Sequence, residues 1–187
     1  MKIPLTLTSL DDASAFAIDL ANTWDPMGKP VDVLAQADSA DHFFKAYVKS
    51  EAEFDVLGEA MIPHRDLLRA AFLAVASDAP DKAEIWQALE HALEVSWTIG
   101  VDHRGKPAVE FASEVPIQQR LTAWSALGFF ALLSGAPERI RVCQAAPCEE
   151  VFHDITKSGR QRFCSKRCGT RYNVARHRDR QKNSEID

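Results

Sequence analysis

Cys143-Gln-Ala-Ala-Pro-Cys148, fifteen intervening residues, then Cys164-Ser-Lys-Arg-Cys168 decides how the C-terminal part of this chain folds. All four cysteines of the 187-residue sequence lie in these two short-spaced pairs. Each pair can turn back on itself and offer two sulfurs to one ion, which is what a tetrahedral zinc site needs. Scattered core thiols would not crowd into one segment. Neither pair has the C-x-x-C spacing of thiol redox catalysis. A disulfide reading needs an oxidising compartment, and Met1 to Leu10, broken by Thr6, Thr8 and Ser9, is too short and polar for a signal peptide. The expectation is a cytoplasmic chain with reduced thiols and structural zinc on Cys143, Cys148, Cys164 and Cys168.

Charge divides the sequence around that segment. Net charge is −5, yet residues 1–138 carry −11, residues 139–182 carry +8 and the last five −2. Such asymmetry points to a polyanionic partner for the basic part. Four thiolates on one zinc ion leave −2, so one or two of Arg162, Lys166 and Arg167 can neutralise the site, but not all of the basic residues are needed for that.

Ser165 is placed to cap a helix starting near Lys166, with Cys168, Tyr172 and Ala175 on its inward stripe. Arg167, Arg171, Arg178 and Lys182 share another face, and Lys166, Arg176 and Arg180 spread around the rest. No apolar residue follows Ala175 until Ile186, so the segment projects as a basic arm or stays unstructured until bound. Between the cysteine pairs, Val151-Phe152 and Arg162-Phe163 flank the polar tip Asp154 to Gly159, which suits a hairpin or tight loop with Phe152 and Phe163 beside the metal. A module this small depends on zinc for much of its stability.

The first 138 residues read as mainly helical. Ser9 caps a helix carrying Phe16, Leu20, Ala21 and Trp24 on its apolar face, and Pro26, Gly28 and Pro30 stop it. Ser39 is placed to cap a second with Phe43, Phe44, Tyr47 and Val48. His64 to Ala76 forms a third, and Asp81 starts a fourth through Leu93. Val95 to Val101 alternates as a strand, Asp102-His103-Arg104-Gly105 supplies a turn, and Ala108 to Phe111 returns. A fifth helix runs from about Pro116 to Ser134, and Gly135-Ala136-Pro137 marks the domain boundary. Its apolar stretch, Ala123 to Leu133, is far short of a bilayer span, so no membrane partner is expected.

Cys-x4-Cys, Phe152, Asp154, the basic run to Cys164-Ser165 and then Cys168-Gly169-Thr170-Arg171 resemble the CGNR zinc finger. Ile18-Asp19-Leu20-Ala21-Asn22-Thr23 resembles the Leu-Asp-Leu-x-Asn-Thr signature of the ABATE domain that precedes this finger. Together the two resemblances cover nearly the whole chain. They imply a bacterial stress-induced transcription regulator, with a zinc-ribbon-like RNA-binding role as the other reading. The finger's motif has Asn where this chain has Thr170, which replaces an amide by a hydroxyl.

The expected fold is therefore α+β and mainly helical. Residues 1–138 form a helical, ABATE-like domain with one β-hairpin. Residues 139–182 form a small treble-clef or ribbon-like zinc finger ending in a basic helix, and 183–187 a tail. The expected function is DNA binding, with Lys166, Arg167, Arg171, Arg176, Arg178, Arg180 and Lys182 as nucleic-acid contacts. Duplex DNA is favoured because a helix fits its major groove, and a homodimer would add specificity. The alternatives are RNA bound by Tyr172, Phe163 or Phe152, and a zinc-stabilised protein-interaction module. No catalytic motif is present, and His42, His64, His91 and His103 are dispersed, so no enzyme is expected. His153 and His177 are not needed as ligands, because four cysteines complete the tetrahedron. The helical domain is a candidate sensor of a small ligand, with Asp19, Asn22, Trp24, Arg65 and Trp97 as groups to inspect for a pocket, against the favoured plainer reading that Trp24 and Trp97 are core and Asn22 caps a neighbouring backbone.

Overall fold

A computed structural model of the chain describes residues 9–48, 54–77, 79, 82–101, 105 and 107–184. Its frame is three helices. Helix α1 (Leu10–Ala21) lies along α5 (Ile117–Gly135), and both meet α3 (Asp55–Ala76). Ser9 starts α1 with a reciprocal cap: its hydroxyl accepts from the Asp12 amide at 3.1 Å, and the Asp12 carboxylate takes the Ser9 N–H and O–H. Phe16, Ala17 and Leu20 then fall on the buried face. Helix α5 is apolar nearly all round and is accordingly enclosed, with Leu121, Trp124, Ala126 and Phe129 fully buried. The α1–α5 seam is tight because of Gly128. A methyl group there would sit 2.0 Å from the Ala13 carbonyl oxygen, so only glycine lets the two backbones approach this closely.

Helices α2 (Ala37–Lys45) and α4 (Ala83–His91) flank α3. Phe72 and Phe129 meet edge to face at 5.0 Å, with Trp86 5.4 Å from Phe129, so α3, α4 and α5 are joined through aromatic rings. Strands β1 (Trp97–Val101) and β2 (Pro107–Phe111) pair antiparallel with Trp97 opposite Phe111, in the expected hairpin. Its turn residues 102–104 lie outside the described residues, as does Asp81.

Helix α1 ends at Ala21, so Trp24 lies beyond it rather than on its apolar face, and three further boundaries differ from expectation. Helix α2 begins at Ala37 after Gln36, with no side-chain cap, so Ser39 lies inside the helix. Helix α3 begins nine residues before His64 and runs through Pro63. Proline lacks one amide donor, and here a helix of 22 residues with a buried stripe, Leu57, Met61 and Leu68, continues past the defect. The third concerns Val151-Phe152. They belong to β4 (Val151–His153), which pairs with β3 (Ile140–Val142) rather than with Arg162-Phe163. The first cysteine pair is therefore the loop of a β3–β4 hairpin.

That hairpin packs against α3, and β4 also reaches α1. Ile140 and Val151 are buried in the same core as Phe16, Leu20 and Phe129. Helix α6 (Lys166–Ser184) is the last element among the described residues. No helix among the described residues is long and apolar enough to cross a membrane.

Candidate metal centre and basic helix

The four cysteines converge. Cys143 and Cys148 come from the β3–β4 loop, Cys164 from the approach to α6 and Cys168 from its first turn. Their sulfur atoms all lie within 4.8 Å of one another, with Cys148 to Cys164 at 3.8 Å and Cys164 to Cys168 at 3.5 Å. A tetrahedron built on a zinc–sulfur bond of about 2.3 Å has sulfur–sulfur edges of about 3.8 Å. A disulfide would need about 2.05 Å. The donor set therefore fits one four-coordinate ion, and the chemistry of four sulfurs is consistent with zinc.

Local hydrogen bonds fold each half. The Cys143 amide donates to Glu150 O and the Cys148 amide to Ala145 O, closing the first loop. The Cys168 amide donates to the Ser165 hydroxyl at 3.3 Å, the expected helix cap. Gln144 ties the halves together: its amide donates to Arg162 O, and its side-chain oxygen accepts from Arg162 Nε at 2.7 Å. Without a cation between them the sulfurs behave unequally. Burial pushes Cys148 up to about 11 and Cys164 further up. At Cys168 burial acts the same way but is outweighed by hydrogen bonds, led by that of Ser165, so its thiol is held below the usual value.

Residues 139–181 match the CGNR zinc finger. No curated protein matches the chain. The geometry gives three positions of this chain's CGNR-like tetrad a physical task. Cys168 supplies a sulfur. Gly169 leaves room for Phe163, whose ring would lie 3.2 Å from an added methyl. Arg171 donates to Ala145 O and, at 3.6 Å, to Cys168 Sγ, so it pins the first loop and brings positive charge to the thiolates. Thr170, where the motif has Asn, is exposed and its hydroxyl has no hydrogen bond among the described residues.

The polar tip of the finger is organised by Asp154, which is fully buried. Its carboxylate accepts from the Thr156 amide and hydroxyl and from the Gln161 amide at 2.6 to 2.9 Å. Burial alone would raise its pKa, but these bonds and the Arg141 charge hold it below the usual carboxylate value. Arg139 donates to Asp154 O and Thr156 O, and Arg141 to Gly159 O.

This sorts the basic residues by task. Arg139, Arg141 and Arg171 are spent inside the finger, and Arg162 is anchored to it through Nε and Nη2. The side chains of Arg160, Lys166, Arg167, Arg176, Arg178 and Arg180 have no hydrogen bond or ion pair among the described residues, while the Lys182 side chain lies outside them. Beyond Tyr172, every described side chain of α6 from Asn173 to Gln181 is exposed. Ala175 is among them, contrary to the expected inward stripe, because the finger's small core ends one turn earlier, at Tyr172. At about 1.5 Å per residue the exposed part extends well over 10 Å from the finger.

The expected sensor residues do not converge on one pocket. Asn22 pairs with β4 as a strand would: its Nδ2 donates to Val151 O at 2.8 Å and its Oδ1 accepts from Val151 N at 2.9 Å. Arg65 is 2 % exposed and bound to Asp32, Asp66 and Thr23. Burial of Asp32 is outweighed by its hydrogen bond and ion pair with Arg65, which hold its carboxyl below the usual range. Trp24 lies under Arg69 at 5.0 Å, and Arg69 in turn donates to Glu149 O. Trp97 is on the β1–β2 hairpin. Asp19 lines an open groove of about 750 Å³ formed with Ile18, Leu132, Phe152, His153 and Ile155. His64, one of the dispersed histidines, makes a packing contact: its Nε2 is 2.7 Å from the hydroxyl of the fully buried Ser125, and burial lowers its pKa to about 4.

The pairing of Asn22 with Val151 was invisible to sequence reasoning, since the partners are 129 residues apart. Asn22→Ala removes both bonds and leaves a buried strand edge unpaired. An expected loss of about 2 to 3 kcal/mol follows from two hydrogen bonds and an unsatisfied backbone group. Chemical denaturation measures it, and a change below about 0.5 kcal/mol sinks the assignment.

Proposed function

We propose that the chain is a DNA-binding transcription regulator whose CGNR finger presents α6 to duplex DNA. The observation that carries this reading is the row of unpartnered cations on a helix with no packing role beyond Tyr172. A solvated face normally interleaves acids with bases, whereas the exposed part of α6 offers Arg176, Arg178 and Arg180 against Asp179 alone. A helix of this kind fits the major groove, and phosphate contacts would supply most of its affinity. In this reading the chain is cytoplasmic and not an enzyme, and a homodimer supplies the site specificity that one finger lacks.

The helical region is then an ABATE-like sensor in a stress response. The groove between α1, the end of α5 and β4 supports that role, because a small apolar ligand seated there would touch the helical core and the finger together. RNA is the second reading, and one arrangement favours it: Phe163 and Tyr172 lie 5.1 Å apart and both are only partly buried. Phe152, at 8 % exposure, is not available for stacking.

The test compares the intact chain with one ending after Ala175 on mixed duplex DNA and on structured RNA. Duplex binding that disappears with the arm, at unchanged zinc content, is the expected result. Equal binding by both chains, or none by either, sinks the reading. RNA binding that is lost in Tyr172→Leu with zinc retained moves the function to RNA.

A further inference from the structure

Beside the cysteine cluster, the segment from Arg160 to Ser165 and the start of α6 enclose a notch of about 580 Å³. Arg160, Arg162 and Lys166 line it together with Gln161, Phe163, Cys164, Ser165 and Gly169, and no Asp or Glu among the described residues does. We infer that this notch is an anion site that seats one phosphate group, held jointly by Arg160, Arg162 and Lys166. The inference rests on the nucleic-acid reading for its natural ligand, a backbone phosphate, and adds a site on the finger itself to the contacts of the arm.

Three observations carry it. Three cations line one cavity, and the side chains of Arg160 and Lys166 have no partner among the described residues; the negative charge on the wall comes from the Cys164 sulfur and the Glu150 carboxylate beside it, a charge that Arg171 already shares. The nearest buried carboxylate, Asp154, is already committed to Thr156, Gln161 and Arg141. Arg162 is held in place before any ligand arrives. Its Nε is fixed by Gln144 at 2.7 Å, its Nη2 reaches the Tyr172 hydroxyl at 3.4 Å, and its Cζ lies 5.4 and 5.3 Å from the centroids of the Phe163 and Tyr172 rings. That leaves Nη1 without a partner among the described residues. A guanidinium ordered in advance loses little side-chain entropy on binding, and its fork matches phosphate geometry. Finally, the notch opens where α6 begins, so a polyanion lying along Arg167 and the arm passes its mouth. The volume exceeds that of a phosphate alone and admits the adjoining sugar.

The experiment uses the full zinc-loaded chain and two probes. With inorganic phosphate, saturable amide shifts confined to residues 160–169 are expected in the intact chain and absent in Arg160→Gln/Lys166→Gln. No saturable shift overturns the site, whatever nucleic acid does. With duplex DNA, the slope of log K against log salt falls by about 0.9 for each phosphate lost, irrespective of how many cations hold that phosphate. Arg160→Gln, Lys166→Gln and the double variant should therefore each lower the slope by about the same 0.9. Additive falls overturn the shared phosphate. Phosphate shifts without any duplex binding support a site for free phosphate and overturn only the nucleic-acid reading. Both side chains lack partners, so unchanged zinc content in the variants separates ligand loss from unfolding.

Discussion

Removing zinc, by chelation or by Cys148→Ser, is expected to unfold the cysteine loops and α6 while the helical core stays folded. Among the described residues, the cluster around the sulfurs buries only Cys143, Ala145, Cys148, Phe152 and Cys168, with Met27, Phe163, Cys164 and Tyr172 partly covered against it. So small a core does not hold a domain without a metal, and structural zinc contributes an apparent 10–16 kcal/mol, roughly, in small fingers. Without the ion, burial raises the pKa of Cys148 and Cys164 while hydrogen bonds hold Cys168, the sulfur that Arg171 faces, below its usual value, so the four sulfurs no longer act as one anionic cluster. The β3–β4 hairpin should survive. Ile140 and Val151 belong to the main core, Asn22 holds Val151 and Arg69 holds Glu149, and none of these depends on sulfur. Hydrogen exchange reads the outcome residue by residue: α6 amides lose protection, and those of α1, α3 and α5 keep theirs. A zinc-free chain with α6 still protected would show that packing, not metal, holds the finger.

That division also marks what could be read without coordinates. The ligands were legible because metal spacing is local, and most helices because apolar residues recur at three and four positions over long stretches. Pro63 hid the first turns of α3, since its cost is local and the gain from the buried stripe is spread over 22 residues. Strands of three residues, as in β3 and β4, carry too little alternation to be recognised, and so the hairpin that seats the finger on the core went unseen. Asn22 stood out in the sequence within a short signature, but its partner depends on tertiary pairing. The same holds for charge. Counting gives +8 to residues 139–182, yet only geometry separates Arg139, Arg141 and Arg171, spent on carbonyls and sulfur, from the cations left free. The sequence-level contact set thus contains one residue, Arg171, whose first task is inside the finger.

This sorting sharpens what salt should do to DNA binding. Arg167, Arg176, Arg178 and Arg180 are exposed and unpartnered, and their spacing on a helix of about 100° per residue spreads them over more than one face. A helix in a major groove has a phosphate backbone on either side, so a spread of this kind lets both walls be contacted, whereas a single basic stripe would serve one. With four to six phosphates neutralised, affinity is expected to fall on the order of a hundred- to a thousand-fold between 50 and 200 mM salt. Replacing the four arginines with glutamine should flatten the plot by about 0.9 per contact removed, so that most of the salt dependence goes with the arm. Arg171→Gln should behave differently, lowering zinc retention and α6 protection before it changes the slope, because its guanidinium is held by Ala145 and Cys168. Parallel salt plots for the intact chain and the four-arginine variant would place the polyanion elsewhere on the molecule. A fall in slope for the arginine variant, with zinc stoichiometry unchanged, ties the affinity to α6 as a charged helix and separates it from the metal that holds that helix in position.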